Sequence, residues 1–246
     1  MKLIVVEDYE EMSNKAVEIV EQQVRQNDRS VLGLATGSTP LGLYQKMIEG
    51  IPQRGLTYEH VQTMNLDEYY GLDAYHPKSY RFFMNEKLFR HIDIHLYNTH
   101  IPDGKAKSVE AECLRYEALI EHIGPPHLQI LGMGTNGHIG FNEPGTPGDS
   151  ITHRIALDDS TRQDNARFFA SLDEVPTHAI TMGIASILKS EKILLLASGE
   201  EKAGAVKIFL EQHVTEDFPA SFLWNHDDVT LIVDQDAYEL AETERR

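Results

Sequence analysis

Short apolar runs alternate along this chain with longer stretches in which apolar residues recur every three or four positions. Residues 3–6 are short, apolar and β-branched, and predict a strand. Residues 8–26 carry Met12, Ala16, Ile19, Val20 and Val24 at helical spacing. "SVLGLAT", residues 30–36, predicts a second strand, and an amphipathic helix begins near Pro40. Further strands are predicted over 61–66, 127–132, 192–197 and 229–233, and helices over 78–90, 106–122, 177–189 and 200–211. The strand runs are almost continuously apolar, as in a sheet covered on both faces. Strands alternating with helices build βαβ units, so the pattern predicts an α/β fold with a largely parallel sheet flanked by helices. No repeat and no Pro-, Gly- or Ser-rich linker interrupts it, which reads as a single domain over 1–246. Residues 141–176 lack a clear period and read as a strand pair or a mobile cover.

Charge narrows the partners. The formal net charge is -17. Such a surface repels nucleic acid and anionic membranes, so neither is an expected partner. A small anion remains possible, because salt screens surface charge beyond about 8 Å and a local set of donors still captures a phosphate. Cys113 is the one cysteine, so no disulfide framework forms within the chain. The first residues have no apolar signal-peptide core, and no apolar run nears the roughly 20 residues that span a bilayer. The chain reads as soluble and cytoplasmic.

In open parallel sheets ligands bind beyond the carboxyl ends of strands. Three loops there carry candidate chemistry. In "ATGSTP", residues 35–40, Gly37 lets backbone approach a ligand, Ser38 and Thr39 offer hydroxyls, and the following helix start favours an anion. An ordinary helix cap fits the same residues. In "NLDEYYG", residues 65–71, Asp67 and Glu68 follow a strand directly. A free Asp titrates near about 3.9, too low for a base at neutral pH, so Asp67 needs burial or an acidic neighbour such as Glu68. A cap or solvated turn is the plainer reading. In "LGMGTNGHIGFNEPG", residues 131–145, glycines surround Asn136, His138 and Glu143. A histidine moves protons at physiological pH, and a nearby carboxylate orients it. A structural histidine is the alternative. A metal site is disfavoured, because no second histidine or cysteine has ligand spacing. Arg162, Arg167 and Lys202 are cationic candidates. Lys202 falls in the first turn of a predicted helix, where a cation is disfavoured unless an anion sits there too. Surface pairing with Glu200 and Glu201 accounts for it equally.

Together "LDEYYGL", "HPKSY", "GMGTNGHIGFNEPG" and "TRQDNARFF", in this order between about residues 30 and 210, resemble the glucosamine-6-phosphate deaminases of amino-sugar catabolism. The resemblance implies a Rossmann-like fold and conversion of D-glucosamine 6-phosphate and water to D-fructose 6-phosphate and ammonia. It implies that Asp67 takes the proton from C2 and delivers it to C1. His138 is implied as the ring-opening acid/base, with Glu143 as carboxylate partner and Asn136 at the third ring-opening position, where some members have Asp. Gly37, Ser38, Thr39, Arg167 and Lys202 are implied to hold the phosphate. The resemblance implies that no cofactor, Schiff-base lysine or metal is required.

One departure stands out. Hexameric, allosterically controlled members have a basic residue beside the Arg-Ile pair that helps bind N-acetylglucosamine 6-phosphate. Here Ala156 follows Arg154 and Ile155, and the chain ends soon after Ala237. Weak or absent activation and a monomer or small homo-oligomer are expected. Two rivals remain. A sugar-phosphate lactonase also uses a glycine-flanked histidine, but "LDEYYG" and "FNEP" are less expected there. A non-catalytic sugar-phosphate sensor finds no helix-turn-helix in the first 30 residues and the wrong charge for DNA.

Overall fold

The computed structural model describes residues 1–166 and 169–243. Ten strands occur among them: β1 (Lys2–Val6), β2 (Val31–Leu34), β3 (Gln62–Asn65), β4 (Asp67–Tyr69), β5 (Thr99–His100), β6 (Leu128–Gly132), β7 (His153–Ala156), β8 (His178–Thr181), β9 (Ile193–Ala197) and β10 (Val229–Asp234). The helices are α1 (Tyr9–Gln26), α2 (Leu41–Arg54), α3 (Tyr80–Met84), α4 (Val109–Ile123), α5 (Asp159–Ala166), α6 (Ile184–Leu188), α7 (Ala203–Leu210) and α8 (Gln235–Thr243).

A seven-stranded sheet runs in the order β1-β10-β9-β6-β2-β3-β5, with every pair parallel. The apolar runs split between two cores by simple alternation. In β9, Leu194 and Leu196 pack with Met12, Ala16 and Val20 of α1 on one face. Ile193, Leu195 and Ala197 pack with Ala205 and Phe209 of α7 on the other. Each such buried Leu, Ile, Val, Met or Phe side chain stabilises the fold by about 1.5–3 kcal/mol. Side chains cap the starts of α1 and α4. Asp8 accepts from the Glu11 amide at 2.8 Å to start α1, and Ser108 accepts from the Ala111 amide at 3.2 Å to start α4.

From β2 the chain steps one way to β3 and β5, and from β6 the other way to β9 and β10. The switch point therefore lies between β2 and β6, and a crevice opens beyond their carboxyl ends. β3 leads there too. Leu66 alone separates it from β4, which leaves the main sheet and starts an antiparallel one in the order β4-β8-β7.

That small sheet corrects the expected helix over 177–189. His178–Thr181 is a strand, and only Ile184–Leu188 is helical. The unpaired edges of β4 and β7 recruit β8 between them, and tertiary pairing overrides the local helical spacing. The expected helix over 78–90 is α3 continued by a single π-helical turn, Asn85–Phe89. The region 141–176 contributes β7 and α5. Among the described residues no helix is long and apolar enough to cross a membrane.

Candidate active site

Four loops at the carboxyl edge of the main sheet close around one cleft. It is lined by Gly37, Ser38 and Thr39 after β2, by Asp67 after β3, by His138 after β6, and by Lys202 after β9. Residues from four loops, including all three motif loops, thus share one cavity.

Asp67 opens β4 and is 6% exposed. Burial, with the like charge of Glu68 adding to it, pushes its carboxyl up to about 8. Glu68 is buried on the alternate side of the strand. Its carboxylate accepts the backbone N–H groups of Tyr69 at 2.8 Å, Tyr80 at 2.9 Å and Arg81 at 2.9 Å, and so caps the start of α3. Those donors lower its pKa, yet burial outweighs them and leaves it up at about 7. Glu68 is an anchor that also acts electrostatically on its neighbour.

His138 sits on the glycine-dense loop. A Cβ on Gly134 would collide with the imidazole, so glycine is what lets that ring lie against the backbone. Gly140 has φ +59, and a Cβ there would lie 3.4 Å from Asp67 Oδ2 and 2.9 Å from Thr181 Oγ1. Glycine density here admits the side chains of His138 and Asp67 to close quarters. Phe141 donates its amide to Thr181 Oγ1 at 3.1 Å, and Asn142 donates to the carbonyls of Ile139 and Met182, each at 2.8 Å. The loop is thereby tied to the end of β8.

The imidazole is oriented by a chain of groups. His138 Nδ1 lies 2.7 Å from Asn136 Oδ1, and Asn136 Nδ2 donates to Glu143 Oε2 at 3.0 Å. His138 Nδ1 is 3.6 Å from the same carboxylate oxygen. Asn136 is thus the nearer partner, and Glu143 acts on the ring chiefly through it. Because the Asn136 amide nitrogen faces a carboxylate, its oxygen faces the ring, and Nδ1 carries the proton.

The 37–39 turn and Lys202 line the same cleft. Lys202 closes the 3-10 turn Glu200–Lys202 before α7, and its side chain is 17% exposed. Its Nζ is 3.7 Å from the carboxylate of Glu201, which is 65% exposed. Such an exposed pairing contributes little, so it leaves the ammonium available to the cleft. Arg162 points elsewhere: its Nη2 donates to the carbonyls of Leu172 at 3.1 Å and Val175 at 3.3 Å. Arg167 lies outside the described residues.

A scan of families reaches the same neighbourhood. A model described as glucosamine-6-phosphate isomerases/6-phosphogluconolactonase matches residues 7–232. The chain belongs to this family. Within it, a glucosamine-6-phosphate deaminase of Geobacillus sp. (strain WCH70) is 56% identical over 246 residues, covering 100% of this chain and 98% of that protein. The solved structure of a monomeric glucosamine-6-phosphate deaminase superposes with a TM-score of 0.97 at 48% identity, covering 98% of this chain and 100% of that one. A 6-phosphogluconolactonase from Thermotoga maritima shares the fold, with a TM-score of 0.75, 24% identity and coverage of 95% and 99%.

This family member also brings to its cleft residues that sequence reasoning passed over. Tyr80, at the end of "HPKSY", lines the cleft and stacks on Phe141 with ring centroids 5.9 Å apart. Thr161, at the start of "TRQDNARFF", lines it too, and its hydroxyl is buried without a hydrogen-bond partner. Nothing in the local pattern separates that threonine from a helix-surface residue. Among the described residues no group of three His, Cys, Asp or Glu side chains converges to hold a metal ion.

Proposed function

We propose that this chain deaminates D-glucosamine 6-phosphate, giving D-fructose 6-phosphate and ammonia, as a step of amino-sugar catabolism in the cytoplasm. The observation that carries the reading is that Asp67 and His138 line one cleft together with the 37–39 turn and Lys202. A sugar held there by its phosphate offers its reactive carbons to both groups.

The phosphate meets the backbone and hydroxyls of Gly37, Ser38 and Thr39, the ammonium of Lys202, and Arg167. With Nδ1 donating to Asn136, His138 uses Nε2 to take the anomeric hydroxyl proton and return it to the ring oxygen, which opens the pyranose. Glu143 and Asn136 stabilise the transient imidazolium. Asp67 must then be ionised to remove the C2 proton. The substrate's ammonium favours that ionised form. Loss of the proton gives an enolamine. Its protonation at C1 leaves an iminium at C2, water adds there, and ammonia departs as the ketone forms. Each proton transfer contributes about 10²–10⁴-fold. The work is done by a single-domain protein acting as a monomer or small homo-oligomer.

The test is a parallel assay. Incubation with glucosamine 6-phosphate should release ammonia and fructose 6-phosphate in equal amounts. Hydrolysis of 6-phosphogluconolactone without ammonia release would overturn the reading in favour of a lactonase.

A further inference from the structure

Tyr9 begins α1, outside the cleft, yet its hydroxyl reaches the back of the 37–39 turn. It lies 3.0 Å from the Ser38 carbonyl and 3.1 Å from the Thr39 carbonyl, and it accepts the Gly42 amide at 2.7 Å. A phenol has one proton and an acceptor oxygen. Here the proton is shared between two carbonyls, and the oxygen takes one of the donors that the start of α2 leaves unpaired. No side chain caps α2 from its own sequence, since its N-cap is Pro40. The contact is tight: a Cβ on Gly42 would lie 2.9 Å from Tyr9 Cε1 and would collide with Ser13 Oγ. Ser13 in turn donates to the Tyr9 carbonyl at 2.8 Å, which holds that first turn of α1 in place.

The direction of these bonds matters. Ser38 and Thr39 line the cleft and also a second cavity, which includes Tyr9. No peptide bond among the described residues is cis. In a trans peptide the carbonyl and the following N–H point opposite ways. With the Ser38 carbonyl turned toward Tyr9, the Thr39 N–H turns away from it, and Thr39 itself lines the cleft.

We infer that Tyr9 is a positioning residue for substrate binding: its hydroxyl grips the Ser38–Thr39 peptide from behind and so aims the Thr39 amide at the substrate's phosphate. The inference rests on the cleft being a sugar-phosphate site. Tyr9 touches no reacting atom, so its removal acts on phosphate affinity and leaves the proton transfers alone.

The test compares the native protein with Tyr9→Phe, reading KM and kcat for glucosamine 6-phosphate and, by calorimetry, the Kd of inorganic phosphate. Losing one such hydrogen bond corresponds to about 3–10-fold. KM and the phosphate Kd should rise together by that factor, with kcat and the pH profile unchanged. Gly42→Ala, which displaces the Tyr9 ring, should raise both constants in the same direction. An unchanged phosphate Kd in Tyr9→Phe, or a fall in kcat at unchanged KM, overturns the inference. Should the native protein bind phosphate but release no ammonia, the proposed reaction fails, while a weakened phosphate Kd in Tyr9→Phe still supports the role of Tyr9.

Discussion

The Nδ1 of His138 lies 2.7 Å from the Oδ1 of Asn136, closer than it comes to any carboxylate oxygen of Glu143. A neutral amide therefore stands between the imidazole and its counter-charge. Asn136 also accepts the His138 backbone N–H at 3.2 Å, so one side chain sets both the ring and its loop. Replacing it by leucine removes the ring's acceptor and leaves Glu143 without its donor. Asn136→Leu should lower kcat by about 10²-fold or more, the scale of one general acid–base contribution. The Kd of inorganic phosphate, whose proposed partners are the 37–39 turn and Lys202, should stay within a factor of two. Steady-state kinetics with phosphate calorimetry checks the split, and an equal loss in both constants would contradict it.

The proposed base role of Asp67 sets catalysis against stability. Its carboxyl is raised from 3.8 to about 8 in the folded protein. Between those values the folded state keeps a proton that the unfolded state has lost. Stability is then greatest below about pH 4, falls as pH rises through this window, and levels off above the folded value. Asp67→Asn has no such slope. In denaturant titrations the variant should gain on the native protein from pH 4 to pH 8, by a few kcal/mol at the upper end. Ammonia release should meanwhile drop by several orders of magnitude. A stability difference independent of pH would argue against a buried, protonated Asp67.

Much of this was legible in the chain because its strongest signals are structural necessities. A run such as Ile193–Ala197, apolar on both sides, fits only a strand covered twice. The loops at 37–39, 67 and 138 follow such strands, so the parallel-sheet rule placed them together. The small sheet was not legible. β4 is the three-residue strand Asp67–Tyr69, and β8 holds its conformation through pairing with residues far away in sequence. α8 and β5 also escaped notice, the latter being only Thr99 and His100. The same limit applied to the site. Tyr9, Tyr80 and Thr161 come from segments whose spacing carries no chemical signature, and only the fold brings them to the cleft or its rear wall.

Glu68 offers a graded control on the base. After burial, its charge is the cause that lifts Asp67. Glu68→Gln removes that charge, and its amide oxygen can still accept a backbone N–H of α3. Asp67 should then ionise at lower pH. Because the pH dependence of kcat/KM reports the free enzyme, the native profile should rise through about pH 8, and the variant's rising limb should shift to lower pH. Coincident profiles would show that the two carboxyls do not interact in the free enzyme.

Thr161 presents a hydroxyl that is buried in the cleft wall with nothing to bond. An unmet buried polar group costs about 1–3 kcal/mol, which a bound sugar oxygen recovers. Thr161→Val keeps the shape and removes the hydroxyl. It should raise KM roughly 10-fold while the empty protein becomes no less stable, and Thr161→Ser should restore most of the affinity. Equal KM values for the three proteins would place the hydroxyl away from substrate.

Ala156 bears on what kind of rate curve is expected. It ends β7 with an exposed methyl beside the solvent-facing Arg154. A methyl supplies neither charge nor a hydrogen bond to a second sugar phosphate, so an effector at this edge would gain little differential binding between conformations, and without such a difference a ligand shifts no equilibrium. Initial rates against glucosamine 6-phosphate should therefore be hyperbolic and unmoved by N-acetylglucosamine 6-phosphate, except for simple competition. The sedimentation profile should be that of a monomer or small oligomer. Sigmoidal curves that N-acetylglucosamine 6-phosphate renders hyperbolic would mean that an effector site forms without a cation at this position.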